Sequence, residues 1–95
     1  MVFVINKLKY DTDKMKLVSE KCSYSYEETL IFGGIVKNPC KNVKLWKSAK
    51  DNWLISYETT YSIRARALDK NEVEELLLKY DLEKYEEIFG ELEEA

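Results

Sequence analysis

The last quarter of the chain, Asp69 to Ala95, constrains the fold most, because dense acidity and helical spacing of apolar residues coincide there. It holds eleven Asp/Glu against three Lys, a net of −8. Residues 1–68 hold seven Asp/Glu against twelve Lys/Arg, a net of +5, so the overall charge of −3 hides an acidic end and a basic remainder. Val73, Leu76, Leu77 and Tyr80 fall at i, i+3, i+4 and i+7, one face of a helix. Leu82, Tyr85, Ile88, Phe89 and Leu92 repeat that spacing, but on one straight helix they would point roughly 130° away from the first stripe at 3.6 residues per turn. Two helices are therefore predicted, Asp69 to Tyr80 and Leu82 to Phe89, with a break near Asp81. Asp69 with Glu72 three residues on suits a helix start, since each carboxylate can accept from a free backbone N–H of the first turn. Asp81 can cap the second helix, and Gly90 can end it in a left-handed conformation. The glutamates mostly lie off both stripes, either as a solvated helix face or as a negative surface that docks on a basic partner.

The first two thirds read as strands. Val2 to Asn6 is β-branched and aromatic, and leads into Lys9 to Asp13, whose short polar side chains can bond their own backbone. A first hairpin turning there, with Lys14 to Leu17 as its returning strand, is predicted. Tyr24, Tyr26, Glu28, Leu30 and Phe32 share a parity and predict a third strand. Gly33-Gly34 and Asn38-Pro39 then punctuate a loop. From Lys41 to Lys50 lysines recur at every third position, and Asn38-Pro39 could open a helix. Asp51-Asn52 nevertheless separates Val43 to Trp46 from Trp53 to Tyr57 as a turn separates two strands, and the hairpin is the favoured reading. Ile63, Ala65 and Ala67 alternate with Arg64 and Arg66, giving a last strand with one cationic face. The fold class that follows is α+β: one domain over residues 1–95, with residues 1–68 mainly an antiparallel β-meander and 69–92 two short acidic helices. An apolar content of 45% supplies a real core for a chain this long.

The inventory of reactive groups points away from catalysis. Without histidine the commonest general base and most transition-metal sites are missing. Cys22 and Cys40 lack CxxC spacing and read as ordinary thiols. Asp11 and Asp13 have no ion-binding loop around them and read as turn chemistry. No phosphate-cradling glycine motif is present. No enzyme activity, cofactor or metal is expected. The opening Met1 to Ile5 is too short for a signal peptide or membrane span, so a cytoplasmic protein with no membrane partner is expected.

Lys9-Tyr10-Asp11-Thr12, Glu27-Glu28-Thr29-Leu30 and Tyr85-Glu86-Glu87-Ile88-Phe89-Gly90 resemble recurrent pieces of short proteins encoded by phages and other mobile elements of Gram-positive bacteria. Where that family runs from an aromatic strand into Gly-Glu-Gly-Gly, this chain has Trp53 to Tyr57 followed by Glu58-Thr59-Thr60. The resemblance implies a mobile-element accessory protein acting in a bacterial host cell, a class that includes anti-CRISPR inhibitors of Cas nucleases. Two modes of binding follow. In the first, Glu74, Glu75, Glu83, Glu86 and Glu87 imitate the charge of nucleic acid and compete for a basic groove on a defence nuclease, with a Cas9-type effector favoured. In the alternative, Lys44, Lys47, Arg64 and Arg66, with Lys41 and Lys50, contact nucleic-acid phosphates while Trp46 and Tyr57 stack on bases. Pairing of the basic and acidic surfaces between two copies is a third, purely structural reading that would give a homodimer.

Overall fold

The computed structural model describes all 95 residues, Met1–Ala95. Eight strands precede two helices: β1 (Val2–Ile5), β2 (Leu8–Asp11), β3 (Lys16–Ser19), β4 (Ser25–Thr29), β5 (Ile35–Pro39), β6 (Lys41–Lys47), β7 (Trp53–Glu58), β8 (Ile63–Leu68), α1 (Lys70–Tyr80) and α2 (Leu82–Phe89). The α+β class is as read from the sequence. The central sheet has the order β3-β6-β7-β8, all antiparallel, and β1-β2 and β4-β5 form separate two-stranded ribbons. The meander is thus interrupted between β3 and β6 by the β4-β5 ribbon.

Strand register sorts the side chains of the central sheet. Leu45, Ile55 and Arg66 stand opposite one another, as do Tyr57 with Arg64, and Trp53 with both Lys47 and Leu68. Directly paired residues share a face, and this face carries α1 and α2. Its core is Val18, Val43, Leu45, Trp53, Ile55, Tyr57 and Leu68 against Val73 and Leu77, with Tyr85, Ile88 and Phe89 packed at its margin. Leu45, Ile55, Val73 and Leu77 are wholly buried, each contributing about 1.5–3 kcal/mol relative to exposure. The other face holds Lys44, Trp46, Leu54, Ser56, Ala65 and Ala67. Leu54 is fully buried there, and Phe3 of β1 comes over this face beside Trp46 and Ile63.

Both helices begin and end as the change of stripe phase requires. Asp69 accepts from the Glu72 amide at 2.8 Å while Glu72 accepts from the Asp69 amide at 3.2 Å, a complete capping box. Asp81 ends α1 by donating its N–H to the Leu77 carbonyl at 2.8 Å and begins α2 by accepting from the Lys84 amide at 3.4 Å. Gly90 closes α2 with φ +102 and ψ 161. That is positive-φ backbone essentially reserved for glycine, although it differs from the left-handed helical cap expected.

Three local expectations are corrected. The first hairpin turns at Asn6-Lys7 and not within Lys9 to Asp13, because both turn residues take positive φ (51 and 64), the geometry that matches the twist of a two-residue hairpin. Asp11 still bonds its own backbone, accepting from the Asp13 amide at 3.1 Å, but as the cap of a short 3-10 turn over Thr12–Lys14 that follows β2. The third strand ends at Thr29, before Leu30 and Phe32, because the chain turns there through a Leu30 carbonyl accepting from Gly33 at 3.0 Å. Asn38-Pro39 lies inside β5 opposite Tyr26 and Ser25 rather than in a loop. A two-stranded ribbon has free edges, where a residue without an N–H is tolerated. Residues 41–47 are strand, so the hairpin reading of the ambiguous segment holds.

Candidate functional site

The acidic surface is built on the two C-terminal helices, held to the sheet by a buried carboxylate. Asp81 is 5% exposed, and burying a carboxylate is costly unless it is hydrogen-bonded. It accepts from the Ser19 hydroxyl at 2.6 Å and from the Lys84 amide, and Lys21 lies 4.0 Å away. With Val73 and Leu77 of α1 in the core and Tyr85, Ile88 and Phe89 of α2 packed against it, the glutamates are left mostly to the outside.

Their surroundings differ residue by residue. Glu75, Glu83 and Glu87 are exposed, and Glu74 and Glu86 are half-buried. Glu74 lies 3.9 Å from Lys70, whose ammonium sits over the Phe89 ring at 5.8 Å, so this carboxylate faces the α2 side of α1. Glu86 accepts from the Leu92 amide at 3.2 Å and holds the chain that follows Gly90. Glu87 pairs with Lys84 at 3.1 Å, and through that hydrogen bond and its charge it raises the Lys84 ammonium above its ordinary value. Glu75 stands on the opposite flank of α1 from Glu74, at a hollow of about 280 Å³ that it shares with Tyr24, Arg66, Glu72 and Lys79. The five acidic residues are one layer, but of these only Glu75 and Glu83 are exposed without an ion pair in the chain.

The residues of the alternative reading are divided between the two faces of the central sheet. Arg64, Arg66, Lys47 and Tyr57 lie on the helix-bearing face, and Lys44 and Trp46 on the other. Arg66 bonds Glu72 at 2.5 Å; against the lowering effect of partial burial, Glu72 and Tyr24 raise its guanidinium above the ordinary value. Lys47 pairs with Asp51 at 2.9 Å and lies 5.9 Å from the centre of the Trp53 ring. Tyr57 is buried with its ring 4.4 Å from that of Tyr24, and burial first, then Tyr24, raises its phenol. Trp46 donates its indole N–H to the Ser56 hydroxyl at 2.8 Å. Lys41 and Lys50 are exposed at opposite ends of the β6 region. Buried or already partnered rings make poor stacking platforms. The separation of Lys44 from Lys47 was readable in the sequence, since residues three apart on one strand point to opposite faces.

Cys22 and Cys40 are free thiols, and burial pushes both above their ordinary value. A raised thiol is a poor nucleophile. No group of three or more His, Cys, Asp or Glu is placed to hold a metal ion. No helix is long and apolar enough to cross a membrane.

One surface went unread in the sequence. Every residue from Glu27 to Lys37 is exposed, and Ile31 and Phe32 are 96% and 101% accessible at the end of the β4-β5 ribbon. Assigning Leu30 and Phe32 to a strand by parity concealed this; the adjacent Gly33-Gly34 was the signal that the chain turns instead. Compared with protein-family models, curated proteins and solved structures, the chain matches none.

Proposed function

We propose that the protein is a non-enzymatic inhibitor that binds a bacterial defence nuclease, of the Cas9 type, by laying its acidic helices into a groove that otherwise holds nucleic acid. The observation that carries this reading is the helical layer itself: the C-terminal quarter has a net charge of −8 and rests on the sheet through Val73 and Leu77, with Tyr85, Ile88 and Phe89 against the core, leaving Glu75, Glu83 and Glu87 exposed on its outside. Carboxylates fixed on a helix offer a basic groove the same sign of charge as a phosphate backbone, and long-range attraction speeds the encounter. Glu74 and Glu86 are better placed to shape the layer than to touch a partner, because one is paired with Lys70 and the other holds the Leu92 amide. The anti-CRISPR assignment draws on the short motifs described above, and the host-cell cytoplasm is the compartment it calls for.

The test is charge reversal restricted to the exposed positions. Glu75→Lys with Glu83→Lys and Glu87→Lys should keep the far-UV circular dichroism spectrum and cooperative melt of the wild type while abolishing both binding to, and inhibition of, a Cas9-type nuclease. Wild type that neither binds nor inhibits would refute the target class. A folded triple variant that inhibits as well as wild type would refute the acidic layer as the contact surface.

A further inference from the structure

The β4-β5 arm carries its most apolar residues where the rest of the chain does not cover them. From Thr29 to Val36 there is no charged residue, and Ile31, Phe32 and Ile35 are exposed at or beside the turn. The arm pairs with no other strand, and the radius of gyration, 14.8 Å, exceeds the roughly 12 Å of a compact chain this long. Apolar side chains gathered on a projection mark an interaction surface.

A hollow that fits such a tip lies near the root of the arm. It measures about 270 Å³, on the sheet face turned away from the helices, and is lined by Phe3, Asn42, Lys44, Trp46, Ser56 and Ile63, among others. A cavity of roughly 150 Å³ admits a benzene ring, so the phenyl ring of Phe32 can be accommodated. Asn42 and Lys44 follow the end of β5 at Pro39 by only three and five residues. Five paired residues set the tip roughly 17 Å from that root, so an arm cannot fill its own hollow without losing the ribbon.

We propose that a second copy of this chain fills it, by reciprocal exchange of arms about a two-fold axis. Two arms lying antiparallel side by side bring the tip of each to the root of the other, which makes one contact serve twice. Charge agrees in net: on the arm Glu27 faces Lys37 and leaves Glu28 without an opposite charge across the ribbon, and at the root that receives it Lys41 faces Glu58 and leaves Lys44 without one. Size agrees as well. An aromatic side chain buries about 150–250 Å², so Phe32 with its apolar neighbours brings on the order of 400 Å² per tip. Two tips and two hollows then bury roughly 1,600 Å², the area of a standard stable interface, whereas one tip in an unlike protein gives about half of that.

Sedimentation velocity of the purified full chain over a range of micromolar concentrations tests the exchange. Wild type should sediment as a species of twice 11.2 kDa, and Phe32→Asp, an exposed position whose change leaves the core intact, should be monomeric with a cooperative melt that no longer depends on protein concentration. Lys44→Glu should weaken the dimer at least tenfold, and combining it with Glu28→Lys should restore it, a rescue that unspecific sticking of an apolar tip cannot give. A wild type that stays monomeric throughout, or a Phe32→Asp variant that stays dimeric, overturns the proposal. So does a monomer that instead co-sediments with phosphatidylcholine vesicles through Phe32, which would make the arm a membrane anchor.

Discussion

The Ser19 hydroxyl donates to the Asp81 carboxylate at 2.6 Å, joining strand β3 to the junction of the two helices across 62 residues of sequence. One acid thereby does three things: its amide closes α1, its carboxylate opens α2, and the same carboxylate fixes both helices to the sheet. The acidic layer is held in place by the one Asp in it that is withdrawn from solvent.

Ser19→Ala should therefore destabilise the protein by about 1–3 kcal/mol, the cost of leaving a buried acceptor without its partner. Asp81→Ala should cost at least as much, because it also removes the cap of α2. In a double-mutant cycle by urea denaturation the two should be coupled by about 0.5–3 kcal/mol. Additive effects would separate the two residues and leave the helix junction to packing alone.

Asp69→Ala should lower stability by about 1 kcal/mol, and Asp69→Asn should retain most of what is lost, since asparagine also caps. Glu72 adds a second constraint, because it accepts from the Asp69 amide and bonds Arg66 of β8. Glu72→Ala should thus release α1 and the end of β8 together, visible as faster amide exchange at both Asp69 and Arg66. Faster exchange in the helix alone would show that the ion pair carries no structural weight.

What was legible in the sequence was whatever depends on neighbours along the chain. The phase shift between the Val73 and Leu82 stripes, the acceptor at Asp69 and the alternation over residues 63–68 each state their geometry locally, and the helices and β8 follow. What was not legible depends on pairing between distant strands. Lys44 and Arg64 fall on opposite faces only through the register of β6, β7 and β8, which shifts between Lys41 and Lys44, where Asn42 takes φ 49 and donates to Glu58. A shift of one residue exchanges the faces of a strand, and the register observed sets Lys44 apart from Lys47, Arg64 and Arg66. The Asn6-Lys7 turn was hidden for another reason: its positive φ falls on Asn and Lys, without the glycine that usually announces it.

Gly90→Ala should cost about 1–3 kcal/mol. An added Cβ would meet no atom within 4 Å, so the penalty comes from the backbone alone. It should appear as fraying of the last turn of α2, with Phe89 drawn away from Trp53, whose ring centre is now 6.3 Å from its own. A red shift of tryptophan emission at temperatures well below the main melt would record this. An unchanged emission profile and melt would mean that the chain after Phe89 finds another path at no cost.

Alkali should destabilise the protein as its buried thiols and phenol ionise, because the resolved shifts of all three groups are upward. Burial holds Cys22 and Cys40 above the ordinary thiol value of 9.0 and Tyr57 above 10.0. A group whose folded value is raised contributes stability in full below its unfolded value and loses it as pH rises through the folded one. The window therefore opens near pH 9, first for the thiols and then for Tyr57. The urea midpoint should hold steady between pH 7 and pH 8.5, to take an approximate span below that window, and fall progressively above it. Cys22→Ala with Cys40→Ala should flatten the first part of that fall and leave the part due to Tyr57, which Tyr57→Phe should then remove. A midpoint that rises above pH 9, or that falls equally in the variant lacking all three groups, would assign alkaline unfolding to other charges on the chain.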